Sequence, residues 1–467
     1  MHSPEFSAAC RILRTLRAQG HEAWLAGGCV RDLLLDRTPK DFDVATSAEP
    51  QVVLGLFPRT FAVGAKFGVV LVAEVDASQP SETNFVTEVA TFRRDGTYSD
   101  GRRPDMVRYT ESAADDVRRR DFTINGLLLD PLPLCAEEHP SESDLSIERL
   151  LPLIQDHVGG LDDLRNGVIR AIGRPELRFE EDHLRMLRGV RFAARMGFEL
   201  EVQTVQAIRS LAHKTAQVSR ERVREELTKM LTEGHAHRAF DLLDETGLLQ
   251  EVLPEVARMK GVEQPPQFHP EGDVWQHTLK VLEQLEAGTP TTLAWGALLH
   301  DVGKPSTFRM AERIRFDGHV EVGVAIATGI CQRFRFSKEE SAQVLALVEN
   351  HMRFMDAPRM KAATLKRFFR MNRFEEHLAL HRMDCLASKG GLQTWELVHE
   401  RWQAMPQEVV RPEPLLSGRE LIAVGYRPGA QFKTILHAVE EAQLEGQIAT
   451  AEEALSFVRH SFGDPTG

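Results

Sequence analysis

Strand-like sequence is confined to the first part of this chain of 467 residues. Up to about residue 130, short apolar runs such as Phe61-Ala62-Val63 and Val69-Val70-Leu71-Val72-Ala73 alternate with helical segments. From about residue 175 onward, long helical periodicity dominates and strand signals disappear. We therefore predict an α/β head, built on a small mixed sheet with helices, followed by an all-α remainder.

Proline-rich stretches suggest where the chain divides into domains. Gln264-Pro265-Pro266-Gln267 and Arg411-Pro412-Glu413-Pro414 interrupt the helical pattern, and residues 131–152 are acidic and proline-punctuated like an exposed insertion. We predict a head over residues 1–152, a helical neck and body over 153–265, a third helical domain over 266–410 and a helical C-terminal tail over 411–467.

Composition favours a cytoplasmic protein without a membrane partner. No run approaches the roughly 18 apolar residues of a membrane helix, and the start, Met1-His2-Ser3-Pro4-Glu5, lacks the features of a signal peptide. The five cysteines are scattered, odd in number and without C-x-x-C spacing. They are Cys10, Cys29, Cys135, Cys331 and Cys385. We expect reduced thiols and no structural zinc site.

Acidic and apolar residues alternate in Asp41-Phe42-Asp43-Val44-Ala45. In a strand, both carboxylates would project from one face and Phe42 from the other. Mg²⁺ prefers oxygen ligands, and two such ions can activate a 3′-hydroxyl and neutralise a triphosphate. Asp41 and Asp43 are therefore candidate catalytic metal ligands, and the alternative is a solvent-facing acidic pair. Glu88, in a half-buried strand pattern, could add a third carboxylate.

A glycine pair separates strand-like from helix-like sequence. Ala23-Trp24-Leu25-Ala26 reads as a strand, and Val30 to Leu35 would open a helix. Since glycine has no Cβ, backbone N–H groups at Gly27 and Gly28 can approach phosphate closely. This turn is a candidate triphosphate contact.

The net charge of −12 is unfavourable for a nucleic-acid partner, but it averages over the whole surface. Between Glu181 and Glu225 the balance reverses, with nine Lys and Arg residues against six Asp and Glu residues. A local basic face can bind an RNA backbone while the remainder keeps the protein soluble. The alternative for this stretch is a solvated helix face.

These motifs together resemble the bacterial-type tRNA nucleotidyltransferase and poly(A) polymerase family. The resemblance continues through Arg118-Arg119-Arg120-Asp121-Phe122-Thr123-Ile124-Asn125 and Glu181-Asp182-His183-Leu184-Arg185, and it covers roughly the first half of the chain. It implies Mg²⁺ at Asp41 and Asp43. The nucleotide-binding residues that it implies are Gly27, Gly28, Arg31, Asp32, Arg120, Asp121 and Asn125.

Asp182 and Arg185 are a candidate base reader. Three residues apart on a helix, they would be surface neighbours. Cytosine and adenine share an amino donor beside a ring-nitrogen acceptor, so Asp182 could accept from the former while Arg185 donates to the latter. Guanine or uracil would leave polar groups unpaired, at about 1–3 kcal/mol each. The alternative is a surface ion pair worth about 0.3–0.5 kcal/mol.

Arg188 and Arg191 continue this three-residue spacing as a basic stripe suited to a triphosphate or an RNA backbone. The apolar residues on the opposite arc should be core: Leu184, Leu187, Val190 and Ala194. The glycine-punctuated basic segment 93–104 reads as a mobile loop, and the CCA-adding members of the family carry a flexible loop here.

A second ordered array of histidines and aspartates follows in the third predicted domain. Its members are His277, His300, Asp301, His319, His351 and Asp384. The array resembles the HD metal-dependent phosphohydrolase superfamily, which implies a divalent metal of unassigned identity. Imidazoles and carboxylates suit first-row divalent metals, and a bridging Asp301 could hold two ions. The alternative is a set of capped or salt-bridged histidines on helix faces.

The resemblances imply a template-independent tRNA nucleotidyltransferase that adds CMP and AMP, from CTP and ATP, to the tRNA 3′ end with release of pyrophosphate. A poly(A) polymerase, or an enzyme adding only A or only CC, would carry the same motifs. An HD phosphohydrolase with an RNA-binding head and a non-enzymatic RNA-binding module are hypotheses of other classes. No oligomeric state follows from the sequence.

Overall fold

The computed structural model describes residues 4–64, 68–75, 84–96, 107–135 and 146–464. The chain divides into two compact units, Met1–Pro254 and Glu255–Gly467. Each unit contains apolar clusters of its own. Most of the predicted loop at 93–104 lies outside the described residues.

A mixed β-sheet lies at the centre of the first unit. The strands of this unit are β1 Ala23–Ala26, β2 Val44–Thr46, β3 Thr60–Gly64, β4 Val69–Val75, β5 Asn84–Thr91, β6 Arg93–Asp95, β7 Val107–Tyr109, β8 Leu127–Leu129, β9 Ile154–Asp156, β10 Val168–Ile169 and β11 Glu199–Leu200. Among the described residues, seven of them form one sheet in the order β3-β4-β5-β2-β1-β8-β9. The β2 and β5 strands run parallel, and the other neighbours run antiparallel. The predicted α/β head is confirmed.

Helices pack on this sheet and continue beyond it. The helices of the first unit are α1 Pro4–Ala18, α2 Gly28–Leu34, α3 Pro50–Leu56, α4 Ala113–Arg118, α5 Ile147–Leu150, α6 Gly160–Asn166, α7 Pro175–Glu181, α8 Leu184–Met196, α9 Val202–Leu211, α10 Arg220–Thr232, α11 Ala236–Glu245 and α12 Leu248–Val252. The amphipathic α1 packs against β1 and β5 and buries Phe6, Leu13 and Leu16. The strand predicted at 23–26 and the helix predicted after the glycine pair are confirmed by β1 and α2.

The predicted apolar arc of α8 is confirmed. Leu184, Leu187, Val190 and Ala194 are all buried, and α8 packs against α10 and α11. Because residues three and four apart share one helix face, these side chains form a single packing surface. The opposite face of α8 is left for polar residues.

The second unit is almost entirely helical. The chain enters it within α13 Pro254–Ala257, and the remaining helices are α14 Val274–Glu283, α15 Thr291–Leu299, α16 Lys304–Thr307, α17 His319–Arg333, α18 Lys338–Asn350, α19 Ala362–Phe369, α20 Phe374–Ala387, α21 Gln393–Ala404, α22 Gln407–Val410, α23 Gly418–Ala423, α24 Ala430–Leu444 and α25 Ala451–Phe462. A short hairpin, β12 Arg309–Met310 and β13 Ile314–Arg315, interrupts them. Strands of two residues are too short to give a period-two pattern, so the sequence did not predict β11, β12 and β13.

The core of the second unit is organised around α15. Every residue from Thr292 to Leu299 in this helix is buried. A helix that is apolar on all sides is enclosed by its neighbours, and α15 contacts α14, α18 and α20. The helix ends at His300, so the predicted His300-Asp301 pair follows directly on the most buried element of the unit.

The last three helices share an apolar cluster that includes Leu421, Ile435, Val439, Ala454 and Val458. This cluster is consistent with a helical C-terminal tail. The domain limits predicted from the sequence stay predictions, because the described contacts divide the chain at residue 254 into two units rather than four.

The expectation of reduced thiols is wrong for one pair of cysteines. Cys10 and Cys135 form a disulfide across a sequence separation of 125 residues. This pairing left no local spacing signal, because α1 and the turn at Leu132–Cys135 meet only in the folded unit. Separately, the described part of the chain contains no helix long and apolar enough to cross a membrane.

Candidate active sites

A cleft of about 650 Å³ opens in the first unit beside the sheet. Its walls include the predicted catalytic and nucleotide-binding residues Gly27, Gly28, Arg31, Asp41, Asp43, Glu88, Arg120, Asp121, Asn125, Asp182, Arg185, Arg188 and Arg191. Of the predicted set for this site, Asp32 does not line the cleft and instead binds Arg31 behind it. Positions separated by up to about 160 residues in sequence therefore converge on one cavity.

The carboxylates lie where β2 begins beside the C-terminal half of the parallel strand β5. Val44 of β2 is opposite Val89 of β5, so Asp43 and Glu88, one residue earlier on each strand, occupy matching positions and the same face. Asp41 and Asp43 precede β2 rather than lying within it, although the Asp43 carbonyl accepts a hydrogen bond from the Ala26 amide at 3.0 Å. The predicted strand at 41–45 is therefore shorter than expected.

Electrostatics at these carboxylates favour a bound cation. Burial, together with the neighbouring charges of Glu88 and Asp41, raises the pKa of Asp43 to about 7. Burial and Asp41 likewise raise the pKa of Glu88. A divalent cation would relieve this repulsion, and the all-oxygen donor set fits a hard ion such as Mg²⁺.

Arg31 begins a hydrogen-bonded chain across the floor of the cleft. The side chain is buried, donates from Nε and Nη2 to Asp32 Oδ1 at 2.8 and 2.7 Å, and donates from Nη1 to Asn125 Oδ1 at 2.7 Å. Asn125 donates to Asp121 Oδ1 at 3.0 Å, and Arg188 donates to Asp121 Oδ2 at 2.8 Å. Burial opposes ionisation of Asp121, but Arg188 and Asn125 outweigh it and hold its pKa below the usual range. These five side chains fix one another's positions.

The glycine turn and Arg120 lie in direct contact. Gly27 has φ of 78°, and a Cβ there would lie 3.2 Å from Arg120 Nη1. Arg120 and Arg119 both bind the buried Asp116 of α4. Asp116 was not predicted from the sequence, although its position four residues before Arg120 is the spacing of a helical ion pair.

The predicted helical spacing of Asp182 and Arg185 is wrong. Asp182 ends α7 with extended backbone angles (φ −146°, ψ 105°), and Arg185 lies in α8. Arg222 of α10 donates to both Asp182 oxygens. Arg185 instead binds Glu181 Oε2 at 2.5 Å and the Arg119 carbonyl at 3.1 Å. The helix is broken between the pair, so the two side chains are not paired with each other, but both line the cleft.

The predicted basic stripe of α8 is divided between two partners. Arg188 binds Asp121, whereas Arg191 is buried and binds Glu226 of α10 at 2.7 Å. A guanidinium in a buried ion pair has a structural role of its own. Nucleotide contacts by these arginines stay predictions. The cleft also contains cations that sequence analysis did not assign to the site: Arg93, Arg119, Arg195, Arg222 and Lys229.

The second predicted array comes together within the second unit. His277 lies in α14, His300 and Asp301 follow α15, His319 begins α17, His351 follows α18 and Asp384 lies in α20. Asp301 is central: its Oδ2 lies 3.2 Å from His300 Nε2 and 3.8 Å from His277 Nε2, and its Oδ1 lies 3.9 Å from His319 Nε2 and 3.8 Å from His351 Nε2. The two carboxylate oxygens thus face two different pairs of histidines.

The histidines are oriented by their outer nitrogens. Nδ1 of His300, His319 and His351 contacts a backbone carbonyl at 2.7–2.9 Å, which directs each Nε2 inward. Among the described residues, the buried Nε2 atoms of His277 and His300 make no hydrogen bond of acceptable geometry, although Asp384 Oδ1 lies 3.1 Å from the former. Unpaired inward nitrogens beside carboxylates fit a divalent metal. In the described part of the chain, every group of three His, Cys, Asp or Glu side chains whose ligand atoms lie within 4.8 Å of one another is in this unit.

A pocket of about 450 Å³ opens onto this array and is lined by Asp301, His319, His351 and Asp384. Two further charged residues belong to its surroundings. Lys304 Nζ lies 2.7 Å from Asp301 Oδ2, and Glu271 Oε1 lies 2.8 Å from His277 Nδ1. Sequence analysis assigned neither to the site. The three-residue spacing of Asp301 and Lys304 could have identified the first, but Glu271 carries no such signal.

Comparison with known proteins places each region in a family. The chain matches the Poly A polymerase head domain over residues 23–170, the probable RNA and SrmB-binding site of polymerase A over 197–260, and the HD domain over 274–388. The cleft residues fall in the first two regions or between them, and the histidine array falls in the third.

One relative and one solved structure resemble the chain over nearly its full length, and a second relative matches about half of it. A CCA-adding enzyme of Lactobacillus helveticus is 30% identical over 452 residues, 96% of each chain. One of Geobacillus thermodenitrificans is 40% identical over 245 residues, 52% of this chain and 54% of the relative. A crystal structure of the Bacillus stearothermophilus CCA-adding enzyme in complex with CTP has a TM-score of 0.71 at 26% identity and covers 98% of both chains. This chain belongs to the family of CCA-adding enzymes.

Proposed function

We propose that this protein adds CMP and AMP, from CTP and ATP, to the 3′ end of tRNA without a template and releases pyrophosphate. The observation that carries the proposal is full-length likeness to a CCA-adding enzyme, together with one cleft lined by both the acidic and the base-reading candidates. A cytoplasmic location is part of the proposal, because the substrate is tRNA.

Asp41, Asp43 and Glu88 would hold the divalent cation, for which Mg²⁺ is the expected ion. When bound, that cation supplies charge neutralisation at the triphosphate and activation of the RNA 3′-hydroxyl. The raised pKa values of Asp43 and Glu88 support this role, because they reflect burial and mutual repulsion of the carboxylates, both of which a bound cation would offset. The remaining contribution of the protein is to position the triphosphate and the RNA 3′-hydroxyl.

The cations of the cleft would bind the triphosphate and the RNA end. Arg120, which lies beside the Gly27 turn, lines the cavity together with Arg31, Arg195 and Lys229. Guanidinium groups suit phosphate because their donors match two oxygens at once. The chain of bonds from Arg31 to Arg188 would keep this surface rigid during successive additions.

Base selection would rest on Asp182 and Arg185. An ionised Asp182 can only accept hydrogen bonds, so it suits the amino groups of cytosine and adenine and opposes the carbonyls of uracil and guanine. Arg185 can only donate and suits the ring-nitrogen acceptor. Because both bases present the same pair of groups, one site can select both.

The decisive experiment incubates the purified protein with tRNA lacking its terminal CCA and with labelled CTP, ATP or both. We expect CTP alone to give two additions and both nucleotides together to give three, with no further growth. A long A tail would identify a poly(A) polymerase, and products limited to CC or to a single A would identify a partial enzyme.

We also propose a second activity, metal-dependent hydrolysis of phosphate esters at the histidine–aspartate centre. The buried Nε2 atoms of His277 and His300 support it, because they lie beside the Asp384 and Asp301 carboxylates without a well-directed hydrogen bond among the described residues, and a bound metal ion would satisfy both groups. A bound divalent metal would supply water activation there. His300→Ala combined with Asp301→Ala should eliminate phosphatase or phosphodiesterase activity and leave CMP transfer in Mg²⁺ intact, whereas chelation of all divalent ions should stop both activities. Loss of both activities in a folded variant would contradict separate sites.

A further inference from the structure

One carboxylate holds two imidazoles at the edge of the histidine–aspartate centre. Glu271 Oε1 lies 2.8 Å from Nδ1 of His269 and 2.8 Å from Nδ1 of His277. The Glu271 side chain is only 1% exposed. The Glu271 side chain is therefore directed into the interior of the unit, although the segment that carries it is partly exposed.

The direction of these hydrogen bonds follows from their geometry, because one carboxylate oxygen lies within hydrogen-bond distance of two imidazole Nδ1 atoms at once. An ionised carboxylate can only accept, so both Nδ1 atoms carry protons and donate. Nε2 of His277 is then the nitrogen directed at Asp301 and Asp384, 3.8 and 3.1 Å away.

We propose that Glu271 is a positioning residue of this centre: it fixes the His277 ring so that Nε2 can bind a divalent metal, and with the same oxygen it fixes His269 in the pocket wall. The inference rests on the proposed metal-dependent function of the site. Metal-binding histidines generally donate their second N–H to a carboxylate or carbonyl, and removing that partner costs 10–100-fold in metal affinity. Backbone carbonyls serve His300, His319 and His351, whereas His277 depends on a side chain.

The segment that carries Glu271 is held by other bonds as well. Lys304 Nζ donates to Gln264 Oε1 at 2.8 Å, and the Lys389 amide donates to the Phe268 carbonyl at 3.2 Å. Neutralising Glu271 should therefore leave the segment in place. The stretch predicted from its prolines to be a domain boundary also contributes to the pocket wall, since Pro265, Phe268 and His269 line it.

The test is Co²⁺ titration of the full-length protein, followed by visible absorption of imidazole-bound Co²⁺ and by bound metal after desalting. A His300→Ala/Asp301→Ala variant gives the background from other sites. We expect Glu271→Gln to weaken binding at the centre about 10–100-fold. Glu263→Gln, an exposed carboxylate in the same segment, should bind like the unmodified protein, and so should His269→Ala, which removes only the other partner of Glu271.

The outcomes separate this inference from the proposed activity. No Co²⁺ binding above background in the unmodified protein would overturn the metal site itself. Normal binding in the unmodified protein and binding within twofold in Glu271→Gln would overturn only the positioning role, as would an equal loss in His269→Ala. If Glu271→Gln does not fold, Glu271→Asp decides, because its side chain is one methylene shorter and withdraws the carboxylate from His277 Nδ1. Binding within twofold would again contradict the inference.

Discussion

Arg222 donates two hydrogen bonds to the Asp182 carboxylate, from Nη2 to Oδ2 at 2.7 Å and from Nη1 to Oδ1 at 3.2 Å. The Leu184 amide also donates to Oδ1, at 3.1 Å. Since each carboxylate oxygen accepts about two hydrogen bonds, Oδ2 keeps one position for a ligand. Arg222 thus orients Asp182 and leaves one acceptor site for the amino group of a base.

Replacing Arg222 with Gln should reduce base discrimination more than catalysis. Without the two guanidinium donors of Arg222, the Asp182 carboxylate can rotate and accept hydrogen bonds from bases in other orientations. We therefore expect the ratio of kcat/KM for CTP to kcat/KM for UTP to fall about tenfold, which corresponds to about 1.4 kcal/mol. Single-nucleotide incorporation kinetics measure this ratio. Arg165→Gln removes an equally positive but exposed side chain outside the cleft and is the control. An unchanged ratio in Arg222→Gln would contradict the orienting role.

Asp43→Asn should abolish nucleotide addition without destabilising the fold. The neutral amide cannot replace an ionised metal ligand. It does remove the cost of burying a charge at this position and the repulsion by Glu88 and Asp41. CMP incorporation with saturating Mg²⁺ and thermal unfolding measure the two effects. Asp162→Asn, at an exposed position outside the cleft, should behave as the unmodified protein. Near-normal incorporation by Asp43→Asn would remove this residue from the mechanism.

Arg191→Leu should destabilise the first unit by about 3–5 kcal/mol, because it leaves the buried Glu226 without its partner. The double variant Arg191→Leu/Glu226→Leu should recover most of that loss, since apolar residues replace both charges. Urea denaturation measures both. A loss below about 1 kcal/mol in the single variant would be typical of an exposed pair and would contradict this assignment.

His377 should make the second unit sensitive to acid. Burial lowers its pKa to about 4, with a further contribution from Arg353, and neither ring nitrogen has a hydrogen-bond partner among the described residues. The unfolded chain, with a histidine pKa of about 6.5, binds more protons, so stability falls as pH falls from about 6.5 towards 4.

Between pH 7 and pH 5 this residue should account for a loss of about 2 kcal/mol. We expect His377→Leu to lose about that much less than the unmodified protein when the free energy of unfolding is measured at both pH values. His399→Leu, a partly exposed histidine in the same unit, is the control. Equal pH dependence of His377→Leu and the unmodified protein would contradict a buried neutral histidine.

Sequence analysis identified most of the cleft because its residues lie in short local patterns. The alternation at 41–45 and the glycine pair at 27–28 reflect the geometry of a strand and a turn, which depend on neighbouring residues. Val44 opposite Val89 explains why Glu88 joins them, but strand pairing is not a local property. The position of the third carboxylate beside the other two therefore follows from the folded sheet and not from a local pattern.

The errors and omissions involve long-range partners. Nothing in the sequence near Asp182 indicates that Arg222, 40 residues later, binds it. Nor does the local sequence indicate that α8 begins only at Leu184. Glu271 is six residues from His277 in a segment without regular structure, so no periodicity connects them. In both cases tertiary contacts decide which of several nearby charges is the partner.

The measurement that tests base selection most directly is incorporation of all four nucleotides by Asp182→Ala. Removing the carboxylate removes both the acceptor for cytosine and adenine and the repulsion of uracil and guanine. We expect discrimination against UTP and GTP to fall about ten- to a hundred-fold, as for loss of a good bidentate base contact, and CTP turnover to fall less. Asp162→Ala serves as the exposed control. Full rejection of UTP and GTP by Asp182→Ala would contradict the base-reading role.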